Sequence, residues 1–413
     1  MRDIDAPLVF VGHGISDARF GIDEYRGLDV RGKIVVALDG TPSGISSDVA
    51  AHLGSSKDDV AAAKGAVGLI EVGSDGRRRG PSVSRGHRPM VAWLDAAGRG
   101  GGSPLRVALT LSPQSAARLF DGAAKSLDRL RAEANQRPLA GFELPGRLVI
   151  HSESAWQDLR SPNVVAVLPG SDPDLAAEHV VLMGHLDHLG IEPDAKRGED
   201  AINNGAMDNA AGIATMIEAA RHFMRDGHRP RRSVMFIAVT GEERGLLGAD
   251  YFAARPTVPI GNIVGLVNLD MPLLYYDFSD VIAFGGEHST VSTAVAEAGR
   301  SLGVVVTPDP MPEQTLFVRS DHYRFVLRGV PSVFLMTGHA NGGKAAWDYF
   351  LTKVYHEPND DLSQPIYWGA AARFAELNYR IARTLADRPE RPLWYSRSYF
   401  GAAFAPNQPK AKR

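Results

Sequence analysis

From about residue 145 onward, short apolar runs alternate with amphipathic segments. We read the runs NVVAVLPG, HVVLMGH, SVMFIAVTG, IVGLVNLD, DVIAFGG and PSVFLMTG as strands. Helices are predicted over residues 209–225, 244–254, 288–302 and 364–386, and the first of them carries apolar residues at helical spacing. This alternation predicts an α/β fold with a mostly parallel, mixed central sheet and helices on both faces.

The chain before this region has a different pattern. Its apolar runs PLVFVGHGI, GKIVVALDG and VGLIEVG are separated by Gly-rich loops and one helical stretch, KDDVAAAKGA. A length of 413 residues exceeds the usual size of one compact core, which also favours two domains. We predict a β-rich domain over residues 1–142, an α/β domain over 143–388 and an irregular C-terminal extension over 389–413.

Composition and charge exclude several kinds of partner and site. The net charge of −3, with acids and bases mixed along the chain, gives no basic footprint for nucleic acid or for a membrane surface. No apolar run reaches the roughly 18 residues that a membrane span needs, and the start, MRDIDAPLVF, lacks the apolar core of a signal peptide. Taken literally, this start predicts a cytoplasmic protein. Because the chain has no cysteine, any metal must be bound by His, Asp and Glu.

Polar side chains follow three of the predicted strands at the point where each strand ends. Parallel strands end at one edge of the sheet, so groups that are far apart in sequence meet there. Two loop motifs, GAMDNAAG and VYHEPNDD, add further candidates. The strand ends supply His185, Asp187, His188, Glu242, Glu243 and Asp270, and the loops supply Asp208, Tyr355 and His356.

Four carboxylates cannot share one crevice with two imidazoles unless cations are present, because like charges at short range cost several kcal/mol each, to an order of magnitude. A set of nitrogen and oxygen ligands without sulfur suits zinc, with cobalt or manganese as substitutes. Two metals would be held by two histidines and three carboxylates, one of them bridging. In the adjacent pair Glu242 and Glu243, one carboxylate can ligate while the other accepts a proton from water, which indicates a metallohydrolase.

These motifs resemble those of the M28 family of zinc aminopeptidases and carboxypeptidases, whose bacterial members often carry a protease-associated (PA) domain. The resemblance rests on GHLDHLG, GAMDNAAG, TGEERGLLGA, VNLDM, RSDHYRF and YHEPNDD, with LVFVGHGI and LDVRGKIVV in the PA-like part. It implies the zinc-exopeptidase (phosphorylase/hydrolase-like) fold and a PA-like domain at residues 1–142. It also implies an exported protein, periplasmic or extracellular, from which the family's N-terminal core segment and signal peptide are missing.

The resemblance also implies roles for individual residues. His185, Asp208 and Asp270 would bind one Zn²⁺, and Asp208, Glu243 and His356 would bind the second, which makes Asp208 the bridge. Asp187 would orient His185, because a carboxylate at the second ring nitrogen fixes the tautomer. Glu242 would be the general base and then the general acid. Tyr355 would stabilise the oxyanion, with Tyr323 as its rival.

Several alternatives stay open for single residues. His188 is equally compatible with a structural role and with orienting a ligand. Asp208 suits a helix cap, and Glu242 with Glu243 suits a solvated helix start. Asp321 and His322 either line the substrate pocket or hold a ligand, and Asp360 with Asp361 is expected to start the turn before the last helix.

The predicted function is that of a dizinc aminopeptidase acting on peptides, with no prediction of oligomeric state. The alternatives are a carboxypeptidase of the same family, an M20-like amidohydrolase, and a non-catalytic, receptor-like relative that has lost its zinc. A carboxypeptidase needs a cationic group for the substrate carboxylate, for which Arg319 and Arg324 are the candidates.

Overall fold

The computed structural model describes residues 2–74, 90–134, 139–193 and 195–413, and the chain divides into two compact units. Unit 1 consists of Met1–Val91 and Gly102–Leu159, and unit 2 of Ala92–Gly101 and Arg160–Arg413. The predicted limit at residues 142 and 143 falls at the first residues of a strand that pairs within unit 1, so the structural limit lies later in the chain.

Unit 1 is built on a five-stranded sheet, beside which β2 and β3 form a separate pair. The strands of the unit are β1 (Arg2–Phe10), β2 (Ser16–Asp17), β3 (Ile22–Asp23), β4 (Ile34–Leu38), β5 (Gly68–Val72), β6 (Val107–Leu111) and β7 (Phe142–Ser152). Its helices are α1 (Ser47–Ser55), α2 (Lys57–Ala63), α3 (Pro113–Ala116) and α4 (Leu127–Ala134). The order is β6-β5-β4-β1-β7, parallel except for β7. Neighbouring residues of β1 and β4 point to opposite faces, and both faces are packed.

Unit 2 contains the predicted α/β domain. Its strands are β8 (Val164–Leu168), β9 (His179–His185), β10 (Gly190–Ile191), β11 (Ile202–Asn203), β12 (Ser233–Val239), β13 (Ile263–Leu269), β14 (Asp280–Phe284), β15 (Val305–Thr307), β16 (Ser332–Thr337), β17 (Trp394–Tyr395) and β18 (Lys410–Ala411). Its helices are α5 (Ala211–Asp226), α6 (Leu247–Ala254), α7 (Val291–Ser301), α8 (His322–Val326), α9 (Gly343–Lys353), α10 (Trp368–Asp387) and α11 (Tyr399–Phe404).

The central sheet of unit 2 has seven strands in the order β15-β14-β16-β13-β9-β12-β8. The pairs β12–β9, β9–β13, β13–β16 and β14–β15 are parallel, and β8 and β14 run antiparallel to their neighbours β12 and β16. Every residue of β9, β12 and β13 is buried, as expected for continuous apolar runs in a sheet covered on both faces. The predicted mostly parallel, mixed α/β fold is confirmed.

The four predicted helices of unit 2 correspond to α5, α6, α7 and α10, whereas α8, α9 and the short strand β15 were not predicted. Helix α5 begins beside the end of β13, and Gly212 makes this approach possible. A Cβ on Gly212 would lie 2.3 Å from the carbonyl oxygen of Leu269. Only glycine therefore fits at this contact between helix and sheet.

The C-terminal residues 389–413, predicted to be irregular, form ordered structure that packs on the rest of unit 2. Strand β17 pairs with β18, and helix α11 lies between them in sequence. The Trp394 and Phe400 side chains are fully buried, and the Trp394 indole donates a hydrogen bond to the Gly329 carbonyl oxygen at 3.0 Å. Burial of two large aromatic side chains explains why this segment is fixed on the core.

Ala92–Gly101, which interrupts unit 1 in sequence, packs within unit 2. The Trp93 indole donates a hydrogen bond to Asp250 Oδ2 on α6 at 2.7 Å, and its ring meets the Tyr251 ring edge to face. Arg255 pairs with Asp95 at 3.0 Å. Within the described ranges, no helix combines the length and the apolar character that a membrane crossing requires.

Candidate metal centre

The carboxyl ends of three adjacent parallel strands bring the predicted site residues together. In the registers of these strands, His185 at the end of β9 lies opposite Val239 at the end of β12, and Met183 lies opposite Asn268 of β13. The residues that follow β12 and β13 in the chain therefore emerge beside His185. They include Glu242 and Asp270, which line one cleft with Asp208, Tyr355 and His356.

One set of possible metal ligands consists of His185, Asp208 and Asp270. The His185 Nε2 atom lies 3.2 Å from Asp208 Oδ1 and 3.3 Å from Asp270 Oδ1. All three side chains are buried. An imidazole and two carboxylates thus face one point at the end of β9.

The other oxygen of Asp208 belongs to a second set. Asp208 Oδ2 lies 3.3 Å from His356 Nε2, and the same nitrogen lies 3.4 Å from Glu243 Oε2. His188 also borders this set, with its Nδ1 atom 2.8 Å from Glu243 Oε1. Asp208 therefore presents one oxygen to each set, which is the arrangement of a bridging carboxylate.

These separations fit zinc. Zinc bonds of about 2.0 to 2.1 Å in tetrahedral geometry place any two ligand atoms roughly 3.3 Å apart. The four separations of 3.2 to 3.4 Å between the imidazole nitrogens and the carboxylate oxygens match that value. A hydrogen bond between a charged imidazole and a carboxylate is shorter, about 2.7 to 2.9 Å. The donor atoms are therefore spaced as metal ligands are.

Asp208 is held in place by Asp360, which lies more than 150 residues further along the chain. Asp360 is fully buried, and its two carboxylate oxygens accept hydrogen bonds from the backbone N–H groups of Met207 and Asp208, both at 2.9 Å. Its carbonyl oxygen accepts a third hydrogen bond from Ala206. The expectation that Asp360 starts the turn before the last helix thus missed its main contact, the turn Ala206–Ala210 that carries Asp208.

Asp270 is held by a chain of buried hydrogen bonds. The Ser320 hydroxyl donates to Asp270 Oδ2 at 2.6 Å, and the Asn268 amide donates to the Ser320 oxygen at 2.7 Å. Because Ser320 occupies Oδ2, the Oδ1 atom faces His185. This chain fixes which Asp270 oxygen is directed to the first set.

Asp187 contacts His185 mainly through its backbone. The His185 Nδ1 atom lies 3.0 Å from the Asp187 carbonyl oxygen and 3.9 Å from its carboxylate. The carboxylate instead accepts hydrogen bonds from the backbone N–H groups of Glu242 and Glu243, at 3.2 and 3.4 Å. Asp187 thus connects the end of β9 to the turn that carries both glutamates.

The electrostatic surroundings differ between the carboxylates. Burial raises the pKa of Asp208, but the adjacent His185 and His356 imidazoles outweigh it and leave the pKa below its usual value. For Glu242, burial and then the Asp321 and Asp270 carboxylates raise the pKa well above its usual value. These surroundings therefore favour the anion at Asp208 and the protonated form at Glu242.

Tyr355 lines the same cleft and stacks on His356 with their ring centroids 3.7 Å apart. Burial, and then the Asp208 carboxylate, raise the pKa of its phenol, so that the hydroxyl remains a donor at neutral pH. Tyr323, the rival tyrosine, is buried near Phe400, with their ring centroids 6.5 Å apart.

The structure thus gathers the predicted ligands and Glu242, Asp187 and Tyr355 at one edge of the sheet. Sequence reasoning missed the supporting residues Ser320, Asn268 and Asp360 and left the position of His188 open. Asp321, for which two roles were considered, is buried near Glu242, and its oxygens have no hydrogen-bond partner in the described part of the chain. Asn268 lies near the end of an apolar strand, and a buried amide needs a hydrogen-bond partner. This residue was therefore the one signal in the sequence that could have indicated a polar partner.

The fold and the site define an α/β protein with a candidate two-metal centre of imidazoles and carboxylates at the carboxyl edge of its sheet. The family model described as Peptidase family M28 matches residues 163–382, just over half of the chain. The chain belongs to this family, and the match excludes the M20-like alternative.

Comparison with known proteins gives relatives of the same kind. A probable zinc metalloprotease of Pyrenophora teres f. teres (strain 0-1) is 38% identical over 109 residues, which are 26% of this chain and 22% of that protein. A probable leucine aminopeptidase 2 of Aspergillus oryzae is 27% identical over 261 residues, covering 58% of this chain and 48% of that protein. The chain thus spans less than half the length of either relative.

Among solved structures, the chain is similar to an aminopeptidase from Aneurinibacillus sp. strain AM-1, with a TM-score of 0.46 and 24% identity. This alignment covers 94% of this chain and 76% of that one. A zinc aminopeptidase from Bacillus subtilis aligns with a TM-score of 0.44 and 17% identity, over the same shares of the two chains.

Proposed function

We propose that this chain is a zinc-dependent aminopeptidase that binds two zinc ions and removes N-terminal residues from peptides. The observation that carries the proposal is Asp208, which offers one oxygen to each of two ligand sets whose spacing suits zinc. His185, Asp208 and Asp270 would hold one ion, and Asp208, Glu243 and His356 would hold the other. Membership of a peptidase family and the names of its relatives support peptides as the substrate class.

Bound zinc would polarise the scissile carbonyl and the attacking water. The carboxylate of Glu242 accepts a proton from that water and then delivers it to the departing amine. Burial and the neighbouring carboxylates raise its pKa, which favours the protonated form that delivers the proton to the amine. The Tyr355 hydroxyl donates a hydrogen bond to the oxyanion that develops on the former carbonyl oxygen.

Unit 1 is proposed to be a PA-like domain. Its place before the peptidase region, its strand-rich composition and the sequences LVFVGHGI and LDVRGKIVV support this assignment.

A carboxypeptidase is the second candidate, and the position of one arginine favours it. Arg319 lines the cleft with Glu242 and Tyr355 and offers a guanidinium to a substrate carboxylate. Arg324, the other sequence candidate, is half-buried and donates a hydrogen bond to the Gly245 carbonyl oxygen at 3.1 Å.

The experiment uses peptide pairs that differ only at their ends. One pair has a free or acetylated N-terminus, and the other has a free or amidated C-terminus. We expect release of N-terminal residues from peptides with a free amine, loss of activity on chelation, and recovery on addition of zinc. Cleavage restricted to free C-termini would instead establish the carboxypeptidase. Absence of both bound metal and cleavage would establish the non-catalytic relative.

A further inference from the structure

His188 ends the apolar run of β9 together with His185 and Asp187, and sequence reasoning left its role open. Its side chain is only 9% exposed. Its Nδ1 atom lies 2.8 Å from Glu243 Oε1 and 4.0 Å from Asp208 Oδ2. The imidazole therefore borders the second ligand set without belonging to the set that the sequence predicted.

The distances distinguish a hydrogen bond from a shared metal. The separation of 2.8 Å between His188 and Glu243 is the length of a hydrogen bond to an ionised carboxylate. It is shorter than the roughly 3.3 Å expected between two ligands of one tetrahedral zinc. The distance from His356 to Glu243 Oε2, in contrast, is 3.4 Å. The two oxygens of Glu243 thus have different partners.

We propose that His188 is a positioning residue for the second metal. Its Nδ1–H group donates a hydrogen bond to Glu243 Oε1 and so directs Oε2 toward His356 and Asp208. The inference rests on the proposed two-zinc function and adds to it a residue that orients a carboxylate ligand. A carboxylate that is already held through one oxygen loses less rotational freedom when the other oxygen binds the metal. The affinity of the site for the metal is therefore greater.

The surroundings of His188 keep its ring in this orientation. Gly205 has a positive φ of 65°, and a Cβ on it would lie 2.9 Å from His188 Cγ, so only glycine leaves room for the ring. The ring meets the His356 ring at 69°, with centroids 5.7 Å apart. The Nε2 atom is buried without a hydrogen-bond partner among the residues that the structure describes. Glu243 is therefore the partner that sets the ring's orientation.

The test compares His188→Phe, which keeps a ring but removes the donor, with His188→Asn, whose amide can donate from a similar position. His188→Ala serves as a second variant without a donor if His188→Phe does not fold. The matched control is His179→Phe, because His179 is similarly buried at the other end of β9. Zinc affinities are measured by titration against a competing chelator, and cobalt-substituted protein is examined by visible absorption.

We expect the wild type to bind two zinc ions. His179→Phe should bind each ion with the same affinity as the wild type. His188→Phe should bind the first ion normally and the second about 10- to 100-fold more weakly, as is typical when a ligand loses its supporting hydrogen bond. His188→Asn should recover most of the second affinity. The cobalt spectrum of His188→Asn should match that of the wild type, because no ligand is changed.

Two results would overturn this role. Unchanged binding of both ions by His188→Phe and His188→Ala would show that Glu243 needs no such support. Failure of His188→Asn to recover affinity, together with an altered cobalt spectrum, would make His188 a ligand. If the wild type binds fewer than two zinc ions, the two-zinc function is overturned as well. If the wild type binds two ions and the His188 variants bind them equally well, only the role of His188 is overturned.

Discussion

The roles of the charged residues in the cleft depend on individual atoms. Glu242 and Glu243 are adjacent and chemically identical, yet they face different surroundings. Glu243 lies within hydrogen-bond or ligand distance of two imidazoles, His188 and His356. For Glu242, burial and then the nearby Asp321 and Asp270 carboxylates raise the pKa instead. Glu243 is thereby suited to binding cations and Glu242 to transferring a proton.

The variant Glu242→Gln tests this division. The amide keeps the size of the side chain but cannot accept a proton, so the turnover number should fall about 10²- to 10⁴-fold. Zinc content, measured by atomic absorption, should remain at the wild-type value because Glu242 is not a proposed ligand. The surface variant Glu218→Gln on α5 is the control and should keep full activity. Undiminished turnover by Glu242→Gln would refute its role as the base.

At the level of elements, the site depends on a link between two connections that are distant in sequence. The connection between α9 and α10 carries Tyr355, His356 and Asp360, and the turn before α5 carries Asp208. Asp360 joins the two by accepting hydrogen bonds from backbone N–H groups of that turn. The same contact therefore fixes Asp208 relative to His356, which approach each other to 3.3 Å.

The variant Asp360→Asn should loosen this link. An asparagine has one acceptor oxygen, so its NH₂ group would face the N–H of either Met207 or Asp208. We expect zinc affinity to fall about 10- to 100-fold, with a parallel loss of activity at limiting zinc. The matched control is Asp361→Asn, since Asp361 is only half-buried and its carboxylate accepts a local hydrogen bond from the Ser363 backbone N–H. Equal zinc affinities of the two variants would contradict the role of Asp360.

For the whole molecule, the burial of uncharged histidines links stability to pH. His322 on α8 is fully buried between Phe317 and Phe334, with ring centroids 5.3 and 5.7 Å away. Burial lowers its pKa to about 3. The unfolded chain binds a proton near the ordinary value of about 6.5. The stability that the neutral ring provides is therefore complete above that pH and declines as the pH falls toward 3.

The variant His322→Phe keeps an aromatic ring at this position and removes the titration. Between pH 7 and pH 5, the wild type should lose about 2 kcal/mol of unfolding free energy that the variant retains. The measurement is urea unfolding of both proteins, freed of metal, at the two pH values. His228→Phe replaces an exposed histidine and should follow the wild type. Parallel pH dependence of His322→Phe and the wild type would show that His322 does not carry this effect.

The sequence by itself determined the α/β class and the residue types at the site. The buried strands β9, β12 and β13 are continuous apolar runs, and parallel pairing brings their ends to one edge whatever the details of packing. For that reason His185, Glu242 and Asp270 could be grouped from the order of motifs alone. The helix α9 and the order in residues 389–413 were not predicted, because their structure depends on burial against the rest of unit 2 rather than on a local pattern.

Only the tertiary structure decided how the candidate ligands are held. Which oxygen of Asp270 or Glu243 faces a neighbouring imidazole depends on hydrogen bonds from Ser320 and His188, and these follow from side-chain orientation and strand register. The contact of Asp360 with the turn before α5 joins residues more than 150 positions apart. A local sequence pattern does not reveal such a contact, because the contact exists only where the α9–α10 connection lies over the carboxyl edge of the sheet.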